Sequence, residues 1–195
     1  MTEESTISSH RVVTGIGPGR LVLVVGPSGA GKDTLIGLVR VACAEDGKIV
    51  FPRRVVTREP SSFEDNEQVS LEAFAQGRAQ GEFAIHWEAH GHCYALRRAM
   101  DDQLRAGRAV VANVSRTVVE SMRRTYADVV VVMITAPPEI LSQRLSSRAR
   151  GSDGRVADRL GRAVDAAAAA PDVTIVNVGR AGDHARELLQ AIREL

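Results

Sequence analysis

Short apolar runs alternate along the chain with longer segments in which apolar residues recur at helical spacing. The runs are rich in valine, which is typical of strands buried in a parallel sheet. Strands are predicted at Arg20–Gly26, Arg53–Thr57, Gly107–Val114, Ala127–Thr135 and Asp172–Val178. Helices are predicted at Lys32–Glu45, Arg97–Ala106, Arg116–Tyr126, Pro138–Arg150 and Asp183–Leu195. The alternation predicts an α/β fold, with three α/β/α layers around a doubly wound, parallel, five-stranded sheet.

Two regions interrupt this alternation. Residues 58–96 are polar and irregular and contain five of the seven aromatic residues of the chain. Their clustering predicts a small insertion with its own packing, within a single domain whose core comprises residues 19–57 and 97–195. Residues 148–159 combine glycine with arginines, as expected of a mobile flap or lid. Residues 1–18 are predicted to be a disordered leader.

Composition narrows the class of protein. The length of 195 residues supports one compact domain, and 25 basic against 24 acidic residues leave a formal net charge of +1. Nothing therefore marks the whole chain as a binder of nucleic acid or membranes. Cys43 and Cys93 lack CxxC spacing and are predicted to be reduced thiols. We predict a cytoplasmic protein, because no apolar run reaches membrane-spanning length; the oligomeric state is not indicated.

The first predicted strand is followed by a sequence with the spacing of a phosphate-binding loop, G-x-x-x-x-G-K. The predicted nucleotide-binding residues are Gly26, Pro27, Ser28, Gly29, Ala30, Gly31 and Lys32. Glycines allow the backbone to wrap a phosphate closely, and N–H groups at the start of a helix point at the anion. Lys32 is one of only two lysines among the 25 basic residues, which adds weight to its position. Its ammonium group is expected to follow the transferred phosphoryl group.

Asp33 stands where phosphate-binding loops usually have serine or threonine. A carboxylate oxygen is a good ligand for Mg²⁺, and a carboxylate beside polyphosphate would be repelled without a cation between them. We therefore predict that Asp33 holds Mg²⁺, directly or through water, while the hydroxyl of Thr34 contacts a phosphate. The alternative is that Asp33 is only an acidic residue favoured by the dipole in the first turn of a helix.

The order of several further motifs resembles the guanylate kinase family over about residues 20–162. The motifs are VTREP, GEF, HGHCYAL and RLSSRARGSDGRVADRL. In that family an arginine after VT binds the acceptor's phosphate, a tyrosine assists it, and two flap arginines clamp the phosphates of ATP. The resemblance assigns these roles to Arg58, Tyr94, Arg148 and Arg159. Planar guanidinium groups suit them, because they pair with phosphate oxygens bidentately.

The guanine-reading positions of that family differ in this chain. Ile85 and Leu96 stand where guanylate kinases have a glutamate and a serine or threonine that bind the base. Asn113 and Ser115 replace an acidic pair, and Ser61 replaces a second phosphate-binding arginine. A pocket without those hydrogen-bonding groups loses selectivity for guanine.

A second group within this class matches more of the chain. The ribose 1,5-bisphosphate phosphokinases of phosphonate breakdown resemble it in GPSGAGKD, VTR, FAIHWEAHGHCYA, VANVSR and TAPPEILSQRLSSRAR, although Val114 and Ala95 stand where that family tends to have glycine. The resemblance implies a P-loop kinase that uses ATP and Mg²⁺ to convert ribose 1,5-bisphosphate, a phosphorylated sugar, into 5-phosphoribosyl diphosphate. Arg58 and Tyr94 would then hold an acceptor phosphate. Asn113, Ser115 and Arg116 are expected to meet sugar hydroxyls or the other phosphate. The alternatives are a nucleoside monophosphate kinase and a non-catalytic guanylate-kinase-like binding module.

Several other polar residues have a structural and a functional interpretation. His86, His90 and His92 are expected at the surface or near substrate rather than on a metal, and Trp87 is expected to pack in the insertion. Glu64, Asp65 and Glu67 fit a solvated loop better than a sugar-binding cluster. The arginine pairs at 53–54, 97–98 and 123–124 are expected on solvated faces, and Arg144 on a helix face beside the flap.

Overall fold

The structure, a computed structural model, describes residues 15–58, 65–148 and 170–194. Its strands are β1 (Ile16–Val25), β2 (Ile49–Val50), β3 (Arg54–Val56), β4 (Asn66–Gln68), β5 (Phe83–Ala89), β6 (His92–Arg97), β7 (Ala109–Asn113), β8 (Tyr126–Thr135) and β9 (Val173–Val176). Its helices are α1 (Lys32–Ala42), α2 (Leu71–Ala79), α3 (Ala99–Arg105), α4 (Val119–Thr125), α5 (Pro138–Arg148) and α6 (Ala181–Glu194), with a 3₁₀ turn at Arg116–Val118.

The larger sheet has five parallel strands in the order β2-β7-β1-β8-β9. The predicted five-stranded α/β architecture is thereby confirmed, but the prediction for its second strand was wrong. Ile49–Val50 forms β2, whereas Arg54–Val56 pairs within a separate four-stranded sheet. Val55 and Val56 are both buried, so the local pattern is that of a central strand in either sheet.

Alternate residues of β1 face two different cores, as expected for a central strand covered on both sides. Val22 and Val24 pack with α1, α5 and α6 through buried residues such as Leu35, Leu141 and Leu188. On the other side of β1, Leu21, Leu23 and Val25 belong to a cluster with α3, α4 and one face of the smaller sheet. The apolar residues on both faces of β1 therefore contact both of the layers that cover the larger sheet.

The smaller sheet has the order β4-β3-β6-β5 and lies largely within the region predicted to be irregular. β5 and β6 form an antiparallel hairpin whose turn, His90-Gly91, has positive φ at both residues (54° and 75°). Val56, Trp87, Tyr94 and Leu96 face the main core, while Val55, Phe74, Phe83 and Ala95 form a separate cluster. The rings of Trp87 and Tyr94 stack with centroids 5.7 Å apart, which confirms the packing role predicted for Trp87.

Helix α2 was not predicted from the sequence. It begins after Ser70, whose hydroxyl accepts a hydrogen bond from the N–H of Ala73 at 3.1 Å. Only Phe74 and Gly77 are buried along it, so the apolar periodicity that identifies an amphipathic helix is weak. Cys43 and Cys93 are free thiols, as predicted. Among the described residues, no helix is both long and apolar enough to cross a membrane.

Candidate active site

The phosphate loop connects the carboxyl end of β1 to the first turn of α1. Gly26, Gly29 and Gly31 adopt positive φ angles of 141°, 84° and 90°, a region that only glycine occupies readily. A Cβ atom on Gly26 would lie 1.9 Å from the carbonyl oxygen of Ile134, so that glycine also permits close contact with β8. Helix α1 has no side-chain cap at Gly31, which leaves its first-turn N–H groups facing the loop.

Lys32 is the first residue of α1, and its ammonium group folds over the loop. Nζ donates hydrogen bonds of 2.9 Å to the carbonyl oxygens of Gly26 and Pro27. These two contacts hold the ammonium group against the backbone at the start of the loop. The arrangement is that of an anion-binding cradle in which backbone dipoles and one mobile charge act together.

Two side chains that the sequence analysis did not assign to the site, Asn177 and Arg144, form hydrogen bonds with the loop or with each other's backbone. Nδ2 of Asn177, just after β9, donates to the carbonyl oxygen of Ala30 at 2.7 Å. Arg144, on α5, donates to the carbonyl oxygen of Asn177 at 3.0 Å and approaches that of Gly29 at 3.4 Å. Arg144 is therefore not merely a helix-face residue beside the flap. Asn177 had one usable signal, since it is the amide that directly follows the apolar run Val173–Val176.

One carboxylate oxygen of Asp33 accepts hydrogen bonds from residues on two strands, β7 and β3. Its Oδ1 accepts a hydrogen bond of 2.8 Å from Nδ2 of Asn113, at the end of β7, and one of 3.3 Å from Arg54 on β3. Within the described part of the chain, no donor is hydrogen bonded to Oδ2. The expectation that Arg54 lies on an ordinary solvated face was wrong, because its side chain is only 14% exposed and ion-paired with Asp33.

The other residues predicted at the carboxyl end of β7 lie beside this contact. Asn113 is 8% exposed and shares β7 with the residues that pair with β1. Ser115 begins the 3₁₀ turn, where its hydroxyl accepts hydrogen bonds from N–H and Oγ1 of Thr117, at 3.3 and 2.9 Å. Arg116 is the next residue of that turn. The sheet therefore brings Lys32, Asp33 and Asn113 to one edge, as expected for the ends of parallel strands.

The predicted acceptor side is formed by the smaller sheet. Arg58 follows β3, and Tyr94 lies on β6 directly opposite Val56. Ile85 and Leu96 are also cross-strand partners, and Leu96 is fully buried. Val114 and Ala95, the bulkier residues at two expected glycine positions, are buried in apolar clusters. Their methyl groups therefore pack into cores rather than project into an open cleft.

The described acidic residues of this cluster form ion pairs. Glu67 lies in β4 and not in a loop, whereas Asp65 precedes β4 and is exposed. Arg97 donates to Glu67 at 2.9 Å and to Glu82 at 2.6 Å, thereby joining β4 and the start of β5 to β6. The hydrogen bond from Arg97 lowers the pKa of Glu67. Asp65 contacts Arg40 and Arg53, both at 2.8 Å. Glu64 lies outside the described residues.

A cavity of about 430 Å³ opens between α1 and the segments that lead into β3 and β4. Its lining includes Asp33, Arg40, Arg54, Asn66 and Asn113, together with apolar side chains such as Phe51. It therefore extends from the Asp33–Asn113 contact into the space beside the smaller sheet. Its volume lies within the range of small-molecule sites.

Part of the predicted site falls outside the described residues. This applies to Arg159, to most of the predicted flap at 148–159, and to Ser61. Arg148 is the last residue of α5. In the ranges that the structure describes, no group of three or more His, Cys, Asp and Glu side chains could hold a metal ion.

The fold and the phosphate loop define a P-loop α/β kinase. The sequence profile of the family described as guanylate kinase matches residues 18–194. A guanylate kinase structure from Anaplasma phagocytophilum superimposes with a TM-score of 0.67 over 92% of this chain and 86% of that chain. Sequence identity to it is 22%, so the likeness shows the fold alone.

Closer relatives refine this class. The protein named ribose 1,5-bisphosphate phosphokinase PhnN from Bradyrhizobium diazoefficiens is 61% identical over 91% of this chain and 90% of its own length. The protein of the same name from Rhodopseudomonas palustris is 62% identical with the same coverage. The chain belongs to the guanylate kinase family and, within it, to the family of these ribose 1,5-bisphosphate phosphokinase relatives.

Proposed function

We propose that the protein transfers the γ-phosphoryl group of ATP to the 1-phosphate of ribose 1,5-bisphosphate, forming 5-phosphoribosyl 1-diphosphate and ADP. The observation that carries the proposal is the phosphate loop in which Lys32 is followed by Asp33, in a chain that is 61% identical to a protein named ribose 1,5-bisphosphate phosphokinase PhnN. The conversion is confined to phosphate oxygens, so it needs alignment and charge neutralisation rather than covalent chemistry by the protein.

In this reaction an oxygen of the 1-phosphate forms a bond to the γ-phosphorus, and the bond from that phosphorus to the β,γ-bridging oxygen breaks. The electron pair of that bond leaves with ADP. The attacking phosphate is already an anion, so no general base is required. Lys32 and the first-turn N–H groups of α1 hold the phosphates of ATP, while Arg58 and Tyr94 hold the attacking phosphate in line.

Mg²⁺ is the metal that the donor chemistry of the site fits. It is usually bound by one or two carboxylates plus substrate phosphates, so the single carboxylate of Asp33 is sufficient on the protein side. Oδ1 of Asp33 accepts hydrogen bonds from Asn113 and Arg54, and no donor among the described residues is hydrogen bonded to Oδ2. Bound Mg²⁺ would neutralise charge on the β- and γ-phosphates. The role of Asp33 is to fix the position at which that charge is offset.

The side chains at the acceptor site support a sugar phosphate over a nucleotide. Ile85 and Leu96 pair across β5 and β6, and neither can form a hydrogen bond with a purine. A site that recognises guanine through hydrogen bonds would require polar groups there. Asn113, Ser115 and Arg116 at the end of β7 supply polar groups suited to sugar hydroxyls. The flap arginines Arg148 and Arg159 complete the proposal as the groups that clamp ATP and help to exclude water.

The proposal is tested by measuring ADP release with Mg·ATP and, in parallel, ribose 1,5-bisphosphate, GMP and AMP. We expect turnover with ribose 1,5-bisphosphate and formation of the diphosphate product, identified by ³¹P NMR from its coupled phosphorus pair. Turnover with GMP alone would instead establish a guanylate kinase. No turnover with any acceptor, together with tight peptide binding, would establish a binding module.

A further inference from the structure

Arg54 lies at the start of β3 on the face that carries the proposed acceptor-binding side chains. Successive residues of a strand face opposite sides, so Arg54 and Val56 share one direction within β3. Val56 packs with Tyr94 in the main core, whereas Val55 faces the separate cluster around Phe74. The face that bears Arg54 is therefore the face turned toward the larger sheet and the phosphate loop.

Arg54 is the cationic neighbour of the apolar pair described above. Its Cα is paired with that of Leu96, and Leu96 is paired in turn with Ile85. Next to Arg54 the smaller sheet thus has the fully buried Leu96 and the partly buried Ile85, and the guanidinium group is the polar member of the three. Such a combination disfavours a purine edge, which needs several specific hydrogen-bonding partners, but suits a phosphate.

The guanidinium group of Arg54 is also positioned at the cavity beside the loop. It contacts Oδ1 of Asp33 and Oδ1 of Asn66, both at 3.3 Å, which is long for charge-assisted hydrogen bonds. Arg54, Arg40 and two asparagines line the cavity of about 430 Å³. The carboxylates of Asp33 and Asp65 line it as well, but Asp65 is ion-paired with Arg40 and Arg53, which limits its repulsion of an anion.

Arg54 and Arg58 are four positions apart in the sequence, and Arg58 lies in the bend that follows β3. Two guanidinium groups at different places in the cleft can hold anionic groups at opposite ends of one small molecule. The proposed acceptor is a five-carbon sugar with a phosphate at each end, and Arg58 with Tyr94 accounts for the phosphate that attacks ATP. Its other phosphate requires a cation elsewhere in the cleft.

We infer that Arg54 binds the second, non-reacting phosphate of the acceptor and thereby selects a sugar bisphosphate over a sugar monophosphate. The inference rests on the proposed function. It makes Arg54 a specificity-determining residue, distinct from Arg58, which holds the reacting phosphate. Its contact with Asp33 places this second anion site directly beside the proposed metal ligand.

The test compares kcat/KM for ribose 1,5-bisphosphate and ribose 1-phosphate in the full chain, its Arg54→Met variant and an Arg54→Lys variant. In Arg54→Met we expect the loss with the bisphosphate to exceed the loss with ribose 1-phosphate by about 10- to 150-fold, the usual range for a charge-assisted hydrogen bond. Arg54→Lys should recover part of the preference, because it retains the charge without the planar fork. Arg105→Met is the matched control, since it makes the same change of charge in an exposed pair with Asp102, and neither of these two residues lines the cavity.

Equal losses with the two acceptors would overturn the inference, because they would mean that Arg54 acts through Asp33 or through folding. An equal shift of the preference in Arg105→Met would also overturn it, as an effect of net charge alone. Thermal melting and Mg·ADP binding identify a variant that has not folded. If Arg54→Met does not fold, the acceptor preference of Arg54→Lys tests the inference instead. Failure of the unmodified protein to phosphorylate ribose 1,5-bisphosphate would overturn the proposed function and the inference together. Activity without a change of preference would overturn the inference only.

Discussion

The side chain of Asn177 occupies the space in which any side chain on Gly31 would lie. A Cβ atom at Gly31 would be 2.4 Å from Nδ2 of Asn177, the same atom that donates to the carbonyl oxygen of Ala30. The residue that follows β9, the last strand of the larger sheet, thus packs directly against the phosphate loop. The glycine requirement at Gly31 comes both from this contact and from its φ angle of 90°.

Gly31→Ala should therefore damage both folding and nucleotide binding. A side chain at positive φ and an obligatory shift of Asn177 are expected to destabilise the protein by about 1–3 kcal/mol. The affinity for Mg·ATP should fall at least tenfold, or by roughly 1.4 kcal/mol. Urea unfolding and calorimetric titration measure the two effects. Gly47→Ala is the control, because a Cβ there meets no atom within 4 Å, and wild-type behaviour of Gly31→Ala would contradict the packing argument.

Replacing Asp33 by alanine should change the magnesium dependence more than the stability. The Mg²⁺ concentration for half-maximal rate is expected to rise at least about tenfold, because losing an outer-shell partner alone usually costs 10- to 100-fold. Initial rates at fixed ATP and varied Mg²⁺ provide the measurement. Asp102→Ala makes the same change of charge at an exposed residue whose side chain, among the described residues, is ion-paired with Arg105 alone. An unchanged magnesium requirement would leave Asp33 as a first-turn residue of α1 and nothing more.

The ion pair between Arg97 and Glu67 should make part of the stability depend on pH. The pKa of Glu67 is lowered in the folded protein, chiefly by its hydrogen bond from Arg97. A carboxyl with a depressed folded pKa stabilises the fold above its unfolded pKa, near 4.3, and this stabilisation is lost as the pH falls through the folded pKa. Arg97→Met should thus cost about 0.5–1 kcal/mol at pH 7, since the pair is partly exposed. The contribution of Glu67 to this cost should shrink below about pH 4.

Unfolding in urea at pH 7 and pH 3.5 measures this difference. Arg105→Met is a suitable comparison, because Arg105 forms an exposed surface pair with Asp102. A cost for Arg97→Met that is identical at the two pH values would mean that Arg97 acts through packing on Phe83, 5.9 Å away, and not through Glu67.

His184 should have the opposite pH dependence. Its pKa is raised, mainly by the hydrogen bond to the carbonyl oxygen of Val178 at 2.7 Å, and Glu187 at 3.0 Å and the nearby Asp183 act in the same direction. A base with a raised folded pKa stabilises the fold fully below its unfolded pKa, near 6.5, and loses that contribution as the pH rises through the folded pKa. His184→Gln should therefore destabilise the protein more at pH 5.5 than at pH 8.5, by about 0.5 kcal/mol. An NMR titration of the ring locates the pKa, and a value at or below 6.5 would contradict the prediction.

The phosphate loop and the parallel sheet were predictable because both depend on local patterns. A β-branched strand, glycines at fixed spacing and a lysine at the start of a helix specify their own conformation. The smaller sheet was not predicted, because the strand that contains β3 was assigned to the larger sheet and β4 is polar and only three residues long. Its strands are defined by their partners, which are distant in sequence. Helix α2 was missed because most of its residues are exposed and carry little periodic signal.

The sequence by itself determined the chemical groups of the phosphate loop. Its glycines permit positive φ angles, and Lys32 and Asp33 supply one positive and one negative charge whatever their neighbours in the fold. The partners of those charges depend on the packing of the folded chain. Asp33 meets Asn113 and Arg54, and Ala30 meets Asn177, only because two sheets and three strand ends converge on the start of α1. These contacts are set by long-range packing, which no window of neighbouring residues contains. For that reason the roles of Arg54, Arg144 and Asn177 at the site could be recognised only from the tertiary structure.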